Sequence, residues 1–138
     1  MRHLYIAGIS LAVLILLGLL LLLQRRRPKK LNNDHFTERW KALQKLCVSR
    51  KTWPQAIIEA DKLLDEALKK RRYKGKTTGE RLVAAQHALT SNDTVWFGHK
   101  LRKTIAGEDV RKLKKSDVLE ALSGFRQALR DLGALRND

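Results

Sequence analysis

Apolar residues are spaced in two ways along this chain. Leu4–Leu23 (LYIAGISLAVLILLGLLLLL) is apolar without a break, and beyond Lys30 apolar positions recur every three or four residues. The first run has twenty residues, no charge, and 14 Leu, Ile or Val. At about 1.5 Å rise per residue it reaches ~30 Å as a helix, the thickness of a bilayer's hydrocarbon core. A cleaved signal has a shorter apolar region of about 7–15 residues ending at a small-x-small site, whereas this run ends Leu-Leu-Leu-Gln-Arg. The pattern predicts a retained transmembrane helix over 4–23, with 1–3 as a short exterior tail.

The second spacing predicts helices only. Asn32-Asn33-Asp34 offers cap chemistry for a helix to about Val48, with Phe36, Trp40, Leu43 and Cys47 in one arc. Thr52 and Gln55 read as a capping box, with Pro54 in the first turn, opening a helix over 52–72. Trp53, Ala56, Ile57, Ala60, Leu63, Leu64, Ala67 and Leu68 form its broad apolar face. Asp61 lies at the margin of that face and has two readings: a solvated carboxylate, or a half-buried partner for an arginine on a neighbouring helix. Thr77 and Glu80 form a second capping box, opening a helix to about Leu89 with a weak face of Leu82, Ala85 and Leu89. Ser91-Asn92-Asp93 caps a helix on which Phe97, Leu101 and Ile105 point one way, and Trp96 another with His99, Lys100 and Lys103. Gly107 ends it. After a charged loop over 108–115, Ser116 caps a last helix to Leu132, with Gly133 as its C′ residue. No stretch alternates with period two. The expected fold is all-α: an N-terminal transmembrane helix (4–23), a basic juxtamembrane linker (24–33) and a five-helix bundle (34–135).

Charge adds direction to this picture. Arg25, Arg26, Arg27, Lys29 and Lys30 come after the span, while Arg2 alone precedes it. Positive charge stays on the cytoplasmic side, so the N-terminus is expected outside and the bundle in the cytoplasm, at the cell inner membrane. The same five residues are expected to grip anionic lipid. The first thirty residues hold six of the 29 Lys and Arg and none of the 14 acidic residues, so the bundle alone carries about +9. That balance favours nucleic acid, nucleotides or anionic membrane as partners. A dense cluster, Lys69 to Lys76, sets six basic residues around Tyr73. It has two readings: cations complementing a helix C-terminus, or a phosphate site beside a ring that stacks a base. One cysteine, Cys47, leaves no internal disulfide, and the four histidines have no metal-ligand spacing. No metal and no cofactor is expected.

Three segments carry a resemblance: WPQAIIEADKLLDEAL (Trp53–Leu68), TGERL (Thr78–Leu82) and WFGHKLRKTIAGE (Trp96–Glu108). Together they resemble small bacterial membrane proteins with one amino-terminal span and a helical cytoplasmic domain. The last segment of those proteins tends to read W-x-A-H-K-x-R-N-x-I-A-H-E, an ending similar to the Arg-x₄₋₆-His motif of HEPN domains. HEPN domains are helical bundles, often dimeric, and several are ribonucleases using that Arg and His across a dimer interface. The resemblance covers about residues 34–135 and implies a HEPN-like bundle, a homodimer, and RNA, nucleotide or a protein as partner. Arg102 matches the motif's arginine, but Lys103 replaces its Asn, and Gly107 stands where its His would be. General acid–base work near neutral pH falls to His, and Gly107 has no side chain. The resulting expectation is a membrane-tethered binding module without nuclease chemistry. Its candidate phosphate or ligand contacts are Arg102, His99, Lys100, Lys103, Arg71, Arg72 and Lys74. The alternative is a membrane-bound ribonuclease or toxin-type effector using Arg102 with a non-standard base. His99, or a pairing of Arg81 with His87, would supply that base. A third reading is a lipid-associated scaffold.

Overall fold

A computed structural model describes residues 2–26, 30–106 and 113–137, and all regular elements among them are helical. The order is α1 (Arg2–Arg26), α2 (Asn33–Leu46), a 3₁₀ turn (Arg50–Thr52), α3 (Trp53–Lys70), α4 (Thr78–Ala84), α5 (Asn92–Ile105) and α6 (Lys115–Asp131). The long apolar α1 is exposed over residues 2–24 and is long enough to cross a membrane. A membrane anchor and a signal sequence both have that character. Beyond it come the five expected α-helices.

The bundle is built around α3, which packs on α2, α4, α5 and α6. Its face of Ile57, Leu63, Leu64 and Leu68, with Ala56, Ala60 and Ala67, is almost wholly removed from water. Each large side chain buried in this way contributes about 1.5–3 kcal/mol. The alanines let neighbouring helices close in. Phe36, Trp40 and Leu43 bury the inner face of α2, and Cys47 caps it with its thiol 3.5 Å from the Leu43 carbonyl. Burial pushes that thiol's pKa up, so it packs as a small apolar residue and is a poor nucleophile. Between α2 and α3, His35 Nε2 lies 2.8 Å from Glu66 Oε1, and Lys70 Nζ lies 3.0 Å from the same oxygen. Partial burial raises the Glu66 carboxyl, but its hydrogen bonds to Lys70 and His35 outweigh this and hold it below its ordinary value.

Several capping expectations are corrected. Thr52 does not cap α3: its hydroxyl donates to the carbonyls of Leu46 and Ser49, bracing the 3₁₀ turn instead. Ser91 gives α5 no side-chain cap, and Asn92 Nδ2 donates backwards to the Gln86 and Leu89 carbonyls. Ser116 lies inside α6, whose N-cap is Lys114. For Thr52 nearby carbonyls, and for Ser116 an earlier helix start, replace the expected cap, a choice that sequence spacing does not reveal. The caps at Asn32 and Thr77 do form: each side chain accepts from the amide three residues on, at His35 and Glu80. Helix α4 stops at Ala84, short of Leu89, although Leu82, Ala85 and Leu89 are all buried.

Helix α5 meets α6 through small residues. The buried face of α5 is Val95, Gly98 and His99, while Phe97, Leu101 and Ile105 are only half-buried. Two glycines set this crossing. A Cβ on Gly98 would lie 2.9 Å from the Phe125 ring, and one on Gly124 would lie 2.5 Å from the Thr94 carbonyl oxygen. At the C-terminal end of α6, Gly133 takes φ +80°, the left-handed turn that glycine permits at C′. Asn33 Nδ2 then donates to the carbonyls of Gly133 (2.8 Å) and Ala134 (3.0 Å), tying the chain's end to the start of α2.

Candidate functional site

Helices α3 and α5 cross so that Asp61 faces His99. Both are buried, at 6% and 5% exposure, and His99 Nδ1 lies 2.8 Å from Asp61 Oδ1. The other carboxylate oxygen of Asp61 is 3.7 Å from Arg102 Nε. Asp61 therefore joins a histidine and an arginine from successive turns of α5. The solvated reading of Asp61 is overturned, because position 61 faces α5 and not water. With Asp61 Oδ1 as its acceptor, His99 Nδ1 is the donating nitrogen, and Nε2 is left to face away from Asp61. That Nε2 is buried with no hydrogen-bond partner. It sits under the first turn of α4, where a Cβ on Gly79 would be 3.7 Å from it. The Trp96 ring meets the imidazole edge-on, with centroids 5.8 Å apart.

One turn further along α3, Asp65 takes Arg81 Nη1 from α4 at 3.0 Å and Lys69 Nζ at 3.1 Å. These pairs form the wall of an open cleft of about 450 Å³. Six cations (Lys62, Lys69, Lys76, Arg81, Arg102 and Lys103) line it with Thr77 and Thr78, against two carboxylates, Asp61 and Asp65. Lys76 and Lys103 make no ion pair among the described residues. Arg102 meets Asp61 through Nε alone, so its two terminal nitrogens remain for a ligand. A guanidinium fork with flanking ammonium groups and hydroxyls suits the tetrahedral oxygens of a phosphate.

The structure brings together His99, Arg102 and Lys103 from the candidate residues. It does not bring the others there. Lys100 is exposed on α5 outside the cleft lining, and Arg72 and Lys74 are exposed beyond the end of α3. Arg71 is half-buried, with Nε unpartnered. Tyr73 is half-buried against the hydrophobic core. The Arg81–His87 pairing is also corrected: Arg81 is held by Asp65, while His87 is exposed in the turn after α4. Gly107 and the loop residues Glu108–Lys112 lie outside the described residues, as do Arg27, Pro28 and Lys29. Sequence reasoning missed Lys62 as a cleft residue, took in Lys69 and Lys76 only as the two ends of the basic cluster, and weighed Arg81 only with His87. A signal was present, since Asp61, Asp65 and Lys69 recur at i,i+4 along one edge of the apolar face of α3. No group of three or more His, Cys, Asp or Glu among the described residues is arranged to hold a metal.

No family model, no curated protein and no solved structure matches this chain. The HEPN resemblance therefore rests on the segments Trp53–Leu68, Thr78–Leu82 and Trp96–Glu108 alone.

Proposed function

We propose that this chain is a membrane-tethered binding module, a HEPN-like bundle held at the cytoplasmic face of a bacterial inner membrane. Helix α1 is its anchor. Its cleft takes a phosphate-bearing ligand, with RNA as the substrate class to test first. One observation carries this reading: six cations and two hydroxyls converge on a single cleft around the Asp61–His99–Arg102 cluster. The absence of an imidazole at Gly107 is the reason for proposing binding and not cleavage.

Single-stranded RNA should bind the detergent-solubilised full chain with log K falling by ~0.7 per phosphate contact for each log unit of salt. Lys76→Gln with Lys103→Gln should weaken binding across sequences and reduce that slope. Arg71→Gln with Arg72→Gln, outside the cleft, should change it far less. Equal losses from the two pairs would move the ligand away from the cleft.

A second reading, an enzyme, is favoured by one feature: Asp61 orients His99 as it would orient a general base. Such a base must reach within about 3 Å of the proton it takes, and Nε2 is covered by Gly79 and Trp96. Cleavage of RNA by the unaltered chain, lost on His99→Gln, would show that α4 lifts away and would establish the enzyme reading.

The anchor has its own measurement. A cytoplasmic reporter fused after Asp138 should be active, because five basic residues come after the apolar run and one precedes it. Activity of a periplasmic reporter there would reverse the topology and remove the bundle from cytoplasmic RNA.

A further inference from the structure

A second basic cavity lies at the end of the bundle that the anchor feeds. Its volume is about 270 Å³, and Lys41, Arg126, Arg130 and Arg136 line it against one carboxylate, Asp34. Trp40 forms part of the wall and is buried, with its indole Nε1 lacking any hydrogen-bond partner; Arg130 Nε is likewise buried and unpartnered. Four cations against one carboxylate in one cavity suit an anion with several acceptor oxygens.

The chain path identifies which anion. Leu31 is packed in the core, and only five residue steps separate it from Arg26, the last residue of α1. Five steps span about 18 Å at full extension. Asp34 stands on the first turn of α2, and Asn33 ties that turn to Gly133 and Ala134, next to Arg136. If α1 crosses the bilayer over 4–23, this end of the bundle lies within reach of the headgroups on the same side. We infer that this cavity seats the phosphodiester headgroup of an anionic phospholipid and docks the bundle against the membrane in a fixed orientation. The inference rests on the anchor reading and is separate from the RNA cleft, since the two cavities share no lining residue.

The test uses the full chain in nanodiscs of phosphatidylcholine, with or without phosphatidylglycerol. Arginine modification by phenylglyoxal is read residue by residue by mass spectrometry. Arg126, Arg130 and Arg136 should react about fivefold more slowly in the phosphatidylglycerol discs, the factor that attraction of one basic group to an anionic surface supplies. Arg126→Gln with Arg136→Gln, both at exposed positions, should restore the reactivity of Arg130 in those discs without changing the helix content.

Soluble glycerol phosphate added to neutral discs should protect none of the three. If it does, the site takes free phosphate and lipid docking is wrong. Protection in neutral discs that rises with the number of chains per disc would place a second copy in the cavity, which also overturns the inference. Arg25, Arg26 and Arg27 serve as the internal reference. If they are protected by phosphatidylglycerol and the three cavity arginines are not, docking fails while the anchor stands. If none of the six is protected and alkaline carbonate extracts the chain from vesicles, the anchor reading has failed and docking with it.

Discussion

Asp61→Ala should lower the stability of the bundle by about 2–3 kcal/mol, the upper part of the usual cost of leaving a buried hydrogen-bond donor unsatisfied. Truncation leaves His99 Nδ1 without its acceptor at a position 5% exposed. It also opens a void between α3 and α5. For a domain of about 100 residues such a loss corresponds to a fall in Tm of more than ~8 °C. Asp61→Asn separates the contributions. The carboxamide oxygen can still accept from Nδ1, so the geometry is kept while the negative charge is lost. Asp61→Asn should therefore recover more than half of the lost stability. It should also tighten RNA binding at low salt, because Arg102 and the other cleft cations then lose a competing carboxylate. Thermal melts and the salt series on the three proteins check both halves. If Asp61→Ala melts with the unaltered chain, the His99–Asp61 contact does not hold α3 to α5.

Gly124→Leu should prevent the bundle from folding cooperatively, and Gly124→Ala should lower its stability by about 2 kcal/mol. Gly124 lies inside α6, where alanine is ordinarily better than glycine by about 1 kcal/mol. Propensity alone would make the alanine variant more stable. Against it stands a Cβ position 2.5 Å from the Thr94 oxygen and 2.8 Å from the Val95 nitrogen. These are backbone atoms of α5, so the only relief is to move one helix away from the other. Overpacking of this kind costs about 1–3 kcal/mol, and the rigid neighbours put Gly124 at the upper end. The sign of the measured change decides the matter. A melt at or above that of the unaltered chain would mean that α5 and α6 are not held this closely. Gly79→Ala is the control, because its Cβ would meet Trp96 and His99 at ordinary contact distances of 3.6 and 3.7 Å. It should be tolerated.

Both variants act where the sequence pattern and the structure part company. Hydropathy put Phe97, Leu101 and Ile105 on one face of α5 and Trp96 on another, without choosing the inner one. The structure gives the inner face to Val95, Gly98 and His99, because a helix crossing another at backbone distance needs small side chains at the contact. Apolar periodicity weighs large residues and is blind to such a contact. The basic run after α3 misled in the opposite way. Charge density drew attention to Arg71, Arg72 and Lys74, yet the helix ends there, and those residues stay outside the cleft while Lys69 and Lys76 line it. Density along the chain is not convergence in space.

By itself the sequence determined the features that local periodicity and composition dictate. It specified one apolar helix at the N-terminus, five amphipathic helices after it, the face of α3 that forms the core, the Gly133 stop and the caps at Asn32 and Thr77. Each of these depends on residues within about one or two helical turns of one another, so the information is complete in a short window. The candidate site was legible only in parts: His99, Arg102 and Lys103 stood out, and Asp61 was recognisable as a carboxylate at an apolar margin. Only the tertiary structure decided that Asp61 meets His99, 38 positions away, and that Arg81 closes on Asp65 across 16. Those pairings depend on the angles and rotations at which α3, α4 and α5 pack, and those are set by the combined shapes of all the buried side chains. No single segment encodes them.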